Sequence, residues 1–219
     1  MTNQPAPGST RRTKIRRLPE KTVRDRTALH AVLDAGLVAH LSVHDDHGQP
    51  YVLPVAYARD GERVLFHGST GSRLFRALAA GQPTCLTVTL LDGLVLARST
   101  FESSMHYRSA MVLGVATKVT GPAKQEALRV ITEHLLPGRW QEARHPSKKE
   151  VAATLVLSLP LEETSVKIAD GPPTDEPDDL ALPIWAGVVP MSETLGRPIP
   201  APDLRAPYPV PSYVRKWTR

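Results

Sequence analysis

Two segments of the chain concentrate residues able to hold an anion or a polar heterocycle. The first is HGSTGSR, His67 to Arg73, where a strand pattern gives way to a helix pattern. Small residues such as Gly68 let the backbone approach a ligand, and a helix start offers free N–H groups at the positive end of its dipole. Ser69, Thr70 and Ser72 add hydroxyls, and the Arg73 guanidinium can fork onto two phosphate oxygens. The loop is not a Walker motif, because Gly71 is followed by Ser and Arg without the required Lys, and it is not GxGxxG. A plain strand–helix turn capped by a serine has the same sequence signature. The second segment is RSTFESSMHYRS, in which Arg98, Thr100, Ser103, Ser104, His106, Tyr107, Arg108 and Ser109 crowd the start of a strand. Hydroxyls, an imidazole and guanidinium groups there can hydrogen-bond a heterocycle or a phosphate; an exposed polar hairpin tip is the competing reading.

Other chemistries find less support. The eight histidines (His30, His40, His44, His47, His67, His106, His134, His145) form no HExxH pattern and have no carboxylate pair at metal spacing, so no metal site is expected. There is no GxSxG and no dedicated acid–base pair, so no catalytic side chain is assigned. Cys85, the one cysteine, sits in a strand pattern and reads as a small buried hydrophobe. Trp140 in PGRWQEAR and Trp185 in PIWAGVVP read as core or interface anchors that can also cover a flat ligand.

The elements that must position these residues follow from periodicity and turn chemistry. Lys21 to Ala35 has helical spacing and stops at Gly36. Residues 37–44, 49–58 and 63–68 alternate as three strands joined at DDHG and RDGE, an antiparallel meander. Residues 72–81 form a short helix. Residues 84–91 and 93–101 read as two strands around Asp92-Gly93, and 107–121 as a long strand with a bulge signal at Gly114. Residues 122–138 form an amphipathic helix with Pro at its start and Pro-Gly at its end, before strands over 151–161 and 165–169.

The length of 219 residues suits one domain plus extensions. The sequence divides into a basic, flexible N-terminal arm (1–19), a mainly β domain with peripheral helices (20–170) and a proline-rich arm (171–219) that packs on the core or on a partner subunit. That last arm holds 11 of the 21 prolines, yet Ile184, Trp185, Val188, Val189 and Met191 are too apolar for a free tail. No run approaches a membrane span and the N-terminus has no apolar signal region, which points to the cytoplasm and no membrane partner. The net charge of +5 gathers largely in the first 26 residues rather than on a core face, and 11 aromatics leave few stacking platforms, so nucleic acid is not the expected partner.

The order of these segments resembles the pyridoxamine 5′-phosphate oxidase-like superfamily of FMN-binding split barrels, and within it the branch of nitroimidazole-resistance (Nim) proteins. The matching pieces are LPVAYARDGERVLFHGSTGSRLFRAL (53–78), VTLLDGLVLARSTFESSMHYRSAMVLGVATKV (88–119), LPGRW (136–140) and SVKIADGPPTDEPDD…WAGVVP (165–190). The resemblance implies a six-stranded antiparallel split β-barrel with rim helices, working as a homodimer with FMN in clefts between the subunits. It places His67, Gly68, Ser69, Thr70, Ser72 and Arg73 at the phosphate, with Leu74 where the oxidases carry a lysine. It runs Leu53, Pro54 and Val55 beneath the flavin ring and brings His106, Tyr107, Arg108 and Ser109 to the cofactor, with Thr100 and Trp185 as further contacts. The activity implied is a flavin oxidoreductase passing electrons from a nicotinamide-type donor to a small acceptor such as a nitro-aromatic. The alternative is a non-catalytic flavin- or haem-binding module, with His67 or His106 as axial ligand, since some relatives of this fold hold haem and others a deazaflavin.

Overall fold

Alternating apolar residues build one antiparallel sheet in the computed structural model, which describes residues 4–217. Its strands are β1 (Thr22–Val23), β2 (Val38–His44), β3 (Pro50–Asp60), β4 (Arg63–Ser69), β5 (Pro83–Leu96), β6 (Ser104–Val115), β7 (Thr117–Lys118), β8 (Thr154–Pro160), β9 (Glu163–Ala169) and β10 (Gly187–Pro190). They lie in the order β1-β9-β6-β5-β2-β3-β4-β8-β7, with β10 added to β5. The helices are α1 (Arg26–Ala35), α2 (Arg73–Ala79), α3 (Pro122–Leu135), α4 (Arg139–Glu142), α5 (Lys148–Ala153) and α6 (Ser212–Lys216). Leu159 of β8 lies over Gly114 of β6, which brings the two ends of the sheet together as a barrel.

The barrel interior is filled from alternate strand positions, among them Leu41, Tyr57, Phe66, Leu86, Val112 and Val166, all fully buried. α1 plugs this core with Leu29, Val32 and Leu33, spaced as one helical stripe, and begins at Asp25, whose carboxylate accepts the Thr27 N–H at 2.9 Å. Each buried leucine there contributes about 2 kcal/mol. A second, smaller core of Ala58, Leu65, Ala127, Ile131 and Val156 forms where α3 packs on the outer face of β4 and β8. His67 lies on that outer face, two residues beyond Leu65.

The strands part at one place. β3 pairs with β4 only over Tyr57–Asp60, while its first half, up to Ala56, pairs with β2 alone. β4 leaves β3 after Phe66 but continues along β8 as far as Ser69. Leu53, Pro54 and Val55 therefore lie on one lip of an opening, and His67, Gly68 and Ser69 on the other.

The expected class holds: a mainly β, antiparallel split barrel with rim helices and a proline-rich arm. Three details differ. Residues 84–91 and 93–101 are not two strands around a turn; β5 runs through Asp92-Gly93 with a bulge in its register against β6. The glycine serves the crossing of β10, since a Cβ there would come within 2.9 Å of the Val189 carbonyl. The strand expected from residue 151 begins at Thr154, because Ser147 and Glu150 form a reciprocal cap that makes 148–153 helical. The strand count exceeds six because seven longer strands, β2 to β6, β8 and β9, form the body of the sheet, β1 and β10 join it and β7 adds a short rung. Both arms make defined contacts. In the N-terminal arm the Gly8 N–H donates to Thr164 O at 2.7 Å and Arg12 pairs with Glu163. In the C-terminal arm β10 lies on β5, and the Met191 N–H donates to Asp92 O at 2.9 Å.

Candidate cofactor sites

The His67–Arg73 loop engages most of its own donors. Thr70 gives both its N–H (2.9 Å) and its hydroxyl (3.1 Å) to Ala153 O, the Gly71 N–H goes to Ser69 Oγ (3.1 Å), and the Ser72 N–H to Ser69 O (3.0 Å). Ser72 caps α2 by accepting the Phe75 N–H at 3.3 Å. Gly68 makes room for a side chain rather than for a ligand, since a Cβ there would lie 2.6 Å from the Phe75 ring. What remains for an anion is Arg73, exposed and 4.0 Å from Asp45, together with the first-turn N–H groups of α2. Asp45 is a built partner: burial works to raise its pKa, yet hydrogen bonds from the backbone N–H groups of Gln49 and His47 and from Tyr51 hold it below the usual carboxylate range.

The second polar segment is bound up in tertiary structure. Asp175 from the C-terminal arm accepts the Arg98 backbone N–H (2.6 Å) and its Nη1 (2.7 Å), and its own side chain is only 2% exposed. Ser103 bridges the Ala97 N–H and the Ser99 carbonyl. His106 donates from Nε2 to Gly171 O at 2.8 Å. Arg108 grips Asp92 through two bonds of 2.8 and 2.7 Å, which lowers the pKa of Asp92 and raises that of Arg108. Tyr107 and Ser109 stand on β6 opposite Ala169 and Lys167 of β9, and Thr100 lies in the exposed turn before β6. Trp185 is 67% exposed, its ring laid across Gly187.

A different place holds a buried ring nitrogen without a partner among the described residues. On the outer face of β4, an open cavity of about 390 Å³ is lined by His67, Leu128, Arg139, Trp140, Arg144, His145 and Glu150, among others. That volume falls in the range of small-molecule sites. His67 Nδ1 is buried with no hydrogen-bond partner among the described residues, and burial pushes the His67 pKa below its usual 6.5. The imidazole is therefore neutral near pH 7 and keeps a lone pair. The Trp140 and His145 rings stack with centroids 4.8 Å apart and an interplanar angle of 25°. Arg144 is fixed by two bonds to Glu150, of 2.9 and 2.8 Å, and the Glu150 carboxyl is lowered to about 2, chiefly by that hydrogen bond. One neutral imidazole, a planar aromatic wall and two guanidinium groups suit a flat, anionic, iron-centred ring. His106, whose Nε2 donates to Gly171 O, is not among the residues lining this cavity.

The sequence does not single out Arg139, Arg144 and His145 as site residues, and Trp140 reads there as a core or interface anchor that can also cover a flat ligand. The signal available was the run GRWQEARH, in which two arginines, a tryptophan and a histidine fall within seven residues between two helices. No group of three or more His, Cys, Asp or Glu placed to hold a metal ion occurs among the described residues. No helix there is long and apolar enough to cross a membrane.

Fold and split together define the class. The family model of pyridoxamine 5′-phosphate oxidase matches residues 25–168, and the chain belongs to that family. Among solved structures it is similar to the FAD and haem binding protein from Mycobacterium smegmatis, at 42% identity over 89% of this chain and 96% of that one, with a TM-score of 0.85. It is equally similar to the flavocytochrome Anf3 from Azotobacter vinelandii, at 40% identity over 98% of this chain and 99% of that one, with a TM-score of 0.90. A candidate 5-nitroimidazole antibiotic resistance protein from Bacteroides thetaiotaomicron shares the fold at 20% identity, covering 67% of this chain and 86% of that one, with a TM-score of 0.57. No curated protein matches the chain.

Proposed function

We propose that this protein is a redox protein holding a flavin at the barrel split and a haem in the His67 cavity. The observation that carries the reading is the neutral, largely buried imidazole of His67 in the lining of a cavity shared with Trp140, Arg139 and Arg144. Its support outside this chain is a pair of relatives at 42% and 40% identity, one an FAD and haem binding protein and the other a flavocytochrome. Haem supplies one-electron chemistry and a flavin supplies both one- and two-electron transfer. In this assignment His67 would hold the iron, Trp140 would lie against the ring, and Arg139 and Arg144 would meet its carboxylates. Arg73 and the α2 start take the flavin phosphate, with Leu53–Val55 and Tyr107–Ser109 along the ring. FAD is favoured over the FMN of the sequence-based expectation by the FAD-binding relative. Electrons enter from a nicotinamide-type donor and leave to a small acceptor.

The working unit is a homodimer in this reading. Val189, Leu94 and Met105 form one row across β10, β5 and β6, each 43–47% exposed, and a second copy of the chain covers them. Leu94→Glu is expected to shift the sedimenting species from dimer to monomer.

The test is cofactor retention. Purified protein is incubated with FAD, FMN or haemin, desalted and scanned, with Arg73→Ala alongside. Flavin bands and a Soret band on the wild type, with the flavin bands weakened in Arg73→Ala, support the reading. A wild type that retains neither group contradicts it. Retained flavin that NADH or NADPH cannot reduce leaves a binding module in place of an oxidoreductase.

A further inference from the structure

α4, one wall of the His67 cavity, is a single turn, and a helix of that length has almost no stability of its own in water. Two anchors fix it. From α3, the Glu133 carboxylate accepts the Gly138 N–H at 2.7 Å and the Trp140 N–H at 2.8 Å. From the far end of the chain comes α6. The Tyr213 ring lies on Gly138, where a Cβ would come within 3.1 Å of it, and the φ of +90° at Gly138 independently calls for glycine. The Tyr213 hydroxyl donates to Glu142 Oε2 and accepts from Arg139 Nη1 at 3.3 Å, so one side chain ties the first residue of α4 to the last. Trp217 joins Leu37, His134 and Pro137 around a neighbouring groove. Residues 191–211 form no strand or helix, and beyond Met191 the backbone bonds seen there are local turns, Leu204 to Ala201 and Tyr208 to Ala206.

We propose that α6 is a latch on the cavity wall, with Tyr213 as a positioning residue for Arg139 and, through Gly138, for Trp140. Docked, the latch holds the guanidinium and the indole beside His67. Undocked, α4 frays and the cavity opens on that side. The consequence, that docking slows haem release, rests on the haem reading; the latch itself does not.

The experiment uses full-length wild type, Tyr213→Ala/Trp217→Ala and Tyr213→Phe. Amide exchange is followed at Ala143, whose N–H is bonded to Arg139 O at 3.0 Å, in cofactor-free protein. Haem transfer to excess apomyoglobin is followed in haem-loaded protein. Exchange at Ala143 and haem transfer are both expected to speed up about tenfold in the double variant. Tyr213→Phe, which keeps the ring on Gly138 but removes the hydroxyl bonds to Arg139 and Glu142 and leaves Arg139 its bond to Glu142, is expected to fall between. Unchanged exchange at Ala143 in the double variant overturns the latch. Faster exchange with unchanged haem transfer overturns its link to the cofactor. Should the wild type take up no haem, the haem reading fails while faster exchange still supports the latch.

Discussion

The segment Arg98–Ser109 and the cavity outside β4 carry similar side chains, arginines, histidine and an aromatic ring, but use them differently. In the first, Arg98 is tied to Asp175 through its backbone N–H and Nη1, while its buried Nε has no partner among the described residues. Arg108 is tied to Asp92, His106 to Gly171 and Ser103 to two backbone groups. In the second, His67 lines the cavity and keeps its Nδ1 buried with no partner among the described residues. A polar group that is fully hydrogen-bonded stabilises the fold, whereas one left buried and unpaired costs stability unless a ligand completes it. The density of polar residues is therefore a poor guide to a site, and their satisfaction is a better one.

That contrast can be broken by substitution. The largest effect is expected at Asp175→Ala, which strips the partner from half-buried Arg98 and unclamps the C-terminal arm; unfolding by denaturant should show a loss of about 3 kcal/mol. A loss under about 0.5 kcal/mol would mean that Arg98 is a free ligand group after all. Next comes Gly68→Ala, expected to cost about 2 kcal/mol by driving a methyl into the Phe75 ring, with little change in flavin retention beyond that from lost stability. Selective loss of flavin at unchanged stability would instead place a ligand against Gly68.

The smallest effect concerns pH. The His67 pKa is depressed in the folded state, so below the unfolded value of 6.5 the unfolded chain binds a proton that the folded protein does not. Cofactor-free wild type should therefore lose thermal stability as pH falls from about 7 through 6.5 toward the depressed value, and His67→Asn should show a shallower slope over that window. Parallel slopes would show that the imidazole is not desolvated by the cavity.

Much of the scaffold is legible in sequence because it rests on local rules. The DDHG and RDGE turns, the Pro122 helix start and the apolar alternation of β2 to β4 all specify their own neighbourhood. The lips of the split, Leu53–Val55 and His67–Ser69, came from the family resemblance rather than from local rules. What escaped depends on distant partners. Asp92-Gly93 has turn chemistry, but β10, nearly a hundred residues later, makes it a bulge. Arg98 looks like an anion ligand until Asp175 arrives 77 residues downstream. The polar hydroxyls of the Thr70 loop look available until the Ala153 carbonyl, 83 residues away, takes up both Thr70 donors. The His67 cavity needs α3, α4 and α5 to close over one strand, and no local spacing encodes that.

The most direct test of the account compares His67→Ala with His106→Ala after loading each with haemin and FAD and desalting. The account predicts that His67→Ala loses the Soret band while keeping its flavin bands, and that His106→Ala keeps both. A Soret band that survives in His67→Ala and vanishes in His106→Ala would contradict it.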